Sequence, residues 1–121
     1  MNCVFCELAA TPVPVELDSA VPGDIVRVWS DAVALVPLGP VVDGGHLLVI
    51  PRTHVADVAV DATVSAATMA RAAELLEELD WQANMITSRG REATQSVFHL
   101  HIHLVRRQAD DSVSLPWDVR A

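Results

Sequence analysis

Three histidines alternate in His99-Leu100-His101-Ile102-His103, followed by Leu104-Val105 and preceded by Gln95-Ser96-Val97-Phe98. In an extended strand successive side chains point to opposite faces. The pattern predicts His99, His101 and His103 on one face, with Phe98, Leu100, Ile102 and Leu104 on a core face. Three chemistries compete for such a row. It could be a half-exposed strand with polar side chains. It could be a metal site, since imidazole suits Zn, Cu, Fe and Ni. It could be a nucleophilic centre, since imidazole titrates near neutrality and is a competent nucleophile. Neighbouring imidazoles would then donate to developing negative charge. A second constellation, Cys3-Val4-Phe5-Cys6, spaces two thiols by two residues. The redox reading asks for a preceding strand and a βαβ context, and the zinc reading asks for two more nitrogen or sulfur ligands.

The elements that must position these groups follow from periodicity. Glu7 to Ala10 continues the cysteine pair as a short helix ending before Pro12, and Thr11 to Pro22 holds three of the seven prolines and reads as irregular surface chain. Asp24 to Trp29 alternates as a strand. Ser30-Asp31 turns the chain, and Ala32 to Val36 returns as a second strand. A turn-rich loop over Pro40 to Gly45 leads into the apolar strand His46 to Pro51. Val64 to Asp80 lacks Pro and Gly and reads as a helix capped by Asp61 or Thr63. Its predicted core face is Met69, Ala72, Ala73, Leu76 and Leu79. Trp81 to Thr87 reads as a strand, Ser88 to Thr94 as the loop into the histidines, and Asp110 to Pro116 as a polar loop. The order implies an α+β fold, an antiparallel sheet of about five strands with one main helix packed on it.

Composition narrows the classes. The 121 residues suffice for one domain with a single core, and 51% apolar content excludes a disordered chain. Aromatics are only 4%, so the core is aliphatic. All eight basic residues are Arg and the net charge is −8, which argues against binding nucleic-acid backbones. No apolar run approaches the roughly 18 residues of a membrane span, and no basic start precedes an apolar stretch as in a signal peptide. The expectation is a cytoplasmic protein with reduced thiols. Phosphate-loop and G-x-G-x-x-G signatures are missing from the sequence.

The Gln-Ser-Val-Phe-His-Leu-His-Ile-His run, together with Gly45-His46 before an apolar strand and Pro51-Arg52-Thr53-His54, resembles the histidine triad (HIT) family of nucleotide hydrolases and transferases. The resemblance covers His46 to Arg106 well, and the N-terminal cysteines and Leu115-Pro116-Trp117 more loosely. It implies that His101 attacks the α-phosphorus of a nucleotide and forms a nucleotidyl-histidine. His103 would stabilise charge on the oxygens, with Gln95, Ser96, Ser88 and His46 as substrate-side contacts. It also implies a structural zinc held by Cys3, Cys6, His54 and His99, no catalytic metal, a purine nucleotide as substrate, and a homodimer formed through the main helix and a strand. The chain departs from the family pattern in three places. Ser88 and Arg89 stand where an asparagine is usual, Thr94 stands where a glycine precedes the glutamine, and Val36-Pro37-Leu38 lacks the usual ribose-binding acid. The first two departures favour the alternative of a catalytically weak nucleotide-binding module.

Overall fold

The computed structural model describes residues 3–39, 42 and 45–118. The chain runs α1 (Val4–Ala10), β1 (Ile25–Val28), β2 (Ala32–Leu35), β3 (His46–Pro51), α2 (Ala62–Leu79), β4 (Ala83–Ile86) and β5 (Ile102–Arg106), with single 3₁₀ turns at Leu17–Ser19 and Arg91–Ala93. The five strands form one sheet in the order β1-β2-β3-β5-β4, and every neighbouring pair is antiparallel. The fold is α+β, as the element order implies. Of the turn-rich loop expected over Pro40 to Gly45, Pro40, Val41, Asp43 and Gly44 lie outside the described residues.

The two sheet faces have different covers. On one, Val26, Ala34, Leu47, Val49, Ile102 and Leu104 pack beneath Ala72 and Leu75 of α2. On the other, Val33, Leu35, Leu48 and Ile50 pack beneath Phe5 and Ala9 of α1. Such two-sided burial explains the continuous aliphatic runs of β2 and β3, which have no polar face to show.

Asp61 caps α2, its carboxylate accepting from the N–H groups of Thr63 and Val64. The helix is rotated from the predicted face. Thr68, Ala72 and Leu75 are buried, whereas Met69 is exposed. Thr68 is tolerated inside because its hydroxyl donates to Val64 O at 2.8 Å. The acidic end of α2 is partly paired: Glu78 accepts from Arg27 at 2.8 Å and Glu74 pairs with Arg71.

The predicted histidine strand is corrected at its start. β5 begins at Ile102, so only His103 lies in the ladder. The register ends at Val49–Ile102 on one side and Ile86–His103 on the other. Before that point the chain leaves the sheet, and Leu100 N–H donates to Val55 O at 2.8 Å in the loop after β3. Phe98, expected in the core, is exposed instead, with the Arg91 guanidinium over its ring at 5.5 Å.

Candidate active site and metal centre

The bend that delays the start of β5 to Ile102 divides the three histidines between two centres. His99 turns its ring toward α1. Its Nδ1 lies 3.4 Å from the Sγ atoms of both Cys3 and Cys6, and 3.1 Å from Nδ1 of His54. Cys6 Sγ lies 3.2 Å from His54 Nδ1, and the four donor atoms all fall within 4.8 Å of one another. A tetrahedral zinc with ordinary Zn–N and Zn–S bonds gives N–N and N–S edges of about 3.3–3.6 Å. The four residues therefore fit zinc in ligand type, number and spacing. Nε2–H of His99 donates to Pro51 O at 2.8 Å, which leaves Nδ1 unprotonated for the metal. Burial lowers the His99 pKa and so favours that neutral ring. Burial and the adjacent Cys3 push the Cys6 thiol up to about 11, which a bound divalent cation would reverse. Cys3 also caps α1, its sulfur accepting from Cys6 N–H at 3.3 Å.

His101 is buried and held differently. Its Nδ1–H donates to the backbone carbonyl of His99 at 2.8 Å, and the edge of Phe5 packs against its ring at 5.2 Å between centroids. A carbonyl can only accept, so the proton of the neutral ring sits on Nδ1 and the lone pair on Nε2. The Thr87 hydroxyl donates to the carbonyl of His101 at 2.8 Å and ties this residue to the end of β4.

His103 stands beside His101, with ring centroids 5.1 Å apart. Its Nδ1 lies 2.9 Å from His46 Nε2, and Val42 N–H donates to His46 Nδ1 at 3.2 Å. The backbone donor sets the tautomers in sequence. His46 accepts at Nδ1, donates from Nε2, and leaves His103 with its proton on Nε2. Burial, with smaller contributions from His101 and His46, lowers the His103 pKa to about 4. Burial also lowers that of His46. His103 is thus a neutral hydrogen-bond donor near pH 7, next to an imidazole with a free lone pair.

The remaining candidates are dispersed. Ser88 and Thr94 share a cavity of about 270 Å³ with His46 and His103, closed on one side by Val113 and Leu115. Ser96 is exposed and lines a different hollow beside Cys3 and His54. Gln95 is buried, and its amide is engaged by the loop. Nε2 donates to Ala56 O at 2.7 Å and Val97 O at 3.1 Å, and Oε1 accepts from Gly90 N–H at 2.8 Å. With both amide hydrogens taken, its side chain braces the loop that carries Ser96. Thr94, in the place of the expected glycine, has φ 69°, a left-handed conformation that is an outlier for a β-branched residue. Sequence reasoning missed Phe5, Thr87 and the Pro51 carbonyl. Phe5 had a signal, as the aromatic one of the two apolar residues enclosed by the cysteine pair. A backbone carbonyl leaves none.

Against known proteins, the HIT domain family model matches residues 19–110. The chain is 30% identical to Protein hit of Bacillus subtilis over 130 residues, covering 99% of this chain and 81% of that protein. It is 28% identical to an uncharacterized HIT-like protein of Mycobacterium tuberculosis, over 95% of this chain and 78% of the relative. Among solved structures it superposes on a HIT family hydrolase from Clostridium thermocellum with TM-score 0.69 and 28% identity, over 90% and 93% of the two chains. A zinc-bound histidine triad family protein from Mycobacterium smegmatis gives TM-score 0.70 and 28% identity, over 94% and 81%. This chain belongs to the HIT domain family. Among the described residues no helix is long and apolar enough to cross a membrane.

Proposed function

We propose that this protein hydrolyses nucleoside phosphoramidates or dinucleoside polyphosphates at the α-phosphorus, with His101 as nucleophile. The observation that carries the reading is the Nδ1–H bond of His101 to the His99 carbonyl, which fixes the lone pair on Nε2. Nε2 forms a bond to phosphorus as the bond to the leaving group breaks, and the leaving amine or phosphate takes up a proton from solvent. Water then attacks the same phosphorus and gives a proton back to solvent, the N–P bond breaks, and a nucleoside monophosphate leaves with His101 neutral again. His103 Nε2–H is suited to donate to a non-bridging oxygen as charge builds, and holding the ester in line supplies the entropic part. Zinc in this scheme holds His99, and with it the carbonyl that orients His101.

The base is expected to be a purine, packed on the apolar side chains of the first two strands. We also propose a homodimer through α2 and β4, the strand at one edge of the sheet. Sedimentation at micromolar concentration as a monomer would remove that part.

The test is AMP release from adenosine 5′-phosphoramidate and from a diadenosine polyphosphate, beside a His101→Ala control. Release that vanishes in the control supports the scheme. A second reading, a nucleotide-binding module with little turnover, draws on Ser88 and on left-handed Thr94 in the loop. It predicts AMP binding without His101-dependent release.

A further inference from the structure

The polar loop after β5 contains a cluster that the scheme above does not use. The Arg107 guanidinium donates from Nε and Nη2 to the two Asp111 carboxylate oxygens at 2.8 and 3.2 Å, a bidentate pair. Nη1 donates to Asn84 Oδ1 on β4 at 2.7 Å, and Nη2 also donates to Val113 O at 2.8 Å. Asp111 in turn accepts from the backbone N–H groups of Gln108 and Val113, both at 3.0 Å. The Asp111 side chain is only 7% exposed, unusual for an acid in a polar loop. These contacts hold its carboxyl well below the usual carboxylate range, the Arg107 bond contributing most.

The residues on either side of Asp111 are in left-handed conformations, Asp110 at φ 60° and Ser112 at φ 63°. Such backbone persists only where its surroundings over-determine it. Here six hydrogen bonds meet on Arg107 and Asp111. The clasp aims the next residues. Val113, Ser114 and Leu115 line the same cavity as His46, His103 and Ser88. Leu115 is fastened in turn by Asp118, which accepts from its N–H at 2.8 Å and donates its own to Leu115 O at 3.0 Å.

We infer that Arg107 and Asp111 are positioning residues that hold the 113–115 strap against the catalytic face, so that the strap sets which leaving groups fit beside His103. The inference rests on the hydrolase reading, because a leaving group exists only if His101 displaces one. The strap's apolar Val113 and Leu115 favour a bulky, flat or aliphatic amine, whereas ammonia is too small to touch them.

The test compares the full chain and its Asp111→Asn variant on adenosine 5′-phosphoramidate and on the tryptamine phosphoramidate of AMP. The variant is expected to raise KM for the tryptamine ester about tenfold with kcat little changed, and to leave the unsubstituted phosphoramidate within about twofold. Hydrogen exchange at the amides of 113–118 should accelerate while β3 and β5 stay protected. Arg107→Lys, which keeps the charge but cannot form the fork, should split the two substrates in the same direction and stands in if Asp111→Asn does not fold. Equal changes for both esters, or none, would overturn the inference and leave the hydrolase reading intact. Absence of His101-dependent release of AMP from either ester by the unaltered protein would overturn both.

Discussion

His99 and His103 are the same residue type four positions apart, yet the fold gives them opposite work. His99 offers Nδ1 to a metal centre and ties Nε2 to the Pro51 carbonyl. His103 receives a hydrogen bond at Nδ1 from His46 and keeps its proton on Nε2. The difference lies in what the second nitrogen meets: an acceptor makes the ring a ligand, a donor makes it a hydrogen-bond donor. His101, between them, follows the first rule without belonging to the ligand group, which leaves the lone pair on its Nε2.

The largest effect that would break this comparison is at its centre. On the proposed scheme His101→Ala should lower AMP release by about a thousandfold or more, since the covalent step would be lost. Zinc content measured by atomic absorption should be unchanged. A parallel loss of metal in that variant would put His101 among the ligands and abolish the distinction.

Next in size is His99→Ala or Cys6→Ser. Either should abolish stoichiometric zinc and lower Tm by on the order of 10 °C, because structural metal binding is folding free energy. Retained zinc in both variants would show that the four residues do not hold it together.

A smaller effect sharpens the other end. His103 has a folded pKa of about 4 against an ordinary value of 6.5. The unfolded chain therefore binds the proton first as pH falls, and stability contributed by the neutral ring is lost between about pH 6.5 and 4. Urea midpoints measured across that window should decline in the native chain and less steeply in His103→Asn, where His46 and His99 still contribute. An equal decline in both would assign the acid sensitivity to other groups.

The smallest expected change is at Thr94. Thr94→Gly removes a left-handed β-branched residue and should raise stability by about 0.5–1 kcal/mol, the relief of backbone strain being partly offset by greater freedom in the unfolded chain. A lower urea midpoint would mean that the threonine side chain contributes more than its conformation costs.

The parts of this molecule legible in its sequence are those written in residue type at fixed spacing. The cysteine pair, the Pro-Arg-Thr-His segment and the alternating histidines brought all four zinc-competent side chains into view. Alternation for β1 and β4, and continuous apolar runs for β2 and β3, placed these strands within two residues of their ends. What stayed hidden depends on partners distant in sequence. Nothing in Gln95 announces that its amide will meet Ala56 and Gly90 rather than the substrate that the resemblance implies. Alternation across residues 98–101 suggested a strand, but a strand needs a neighbour, and the ladders end at Ile102 and His103. Arg107 reads as the end of a strand and Asp111 as part of a polar loop until the fold pairs them and brings Asn84 against Arg107.

Residue 99 serves two masters through different atoms, its ring facing the metal centre and its carbonyl facing His101. In the language of tolerances, His101 Nε2 can be placed no more tightly than the four zinc-competent side chains. A selection that relaxed the cysteine end for another metal would therefore act on the alignment of His101. The two centres form one inherited unit, divided by chemistry and joined by a single peptide group.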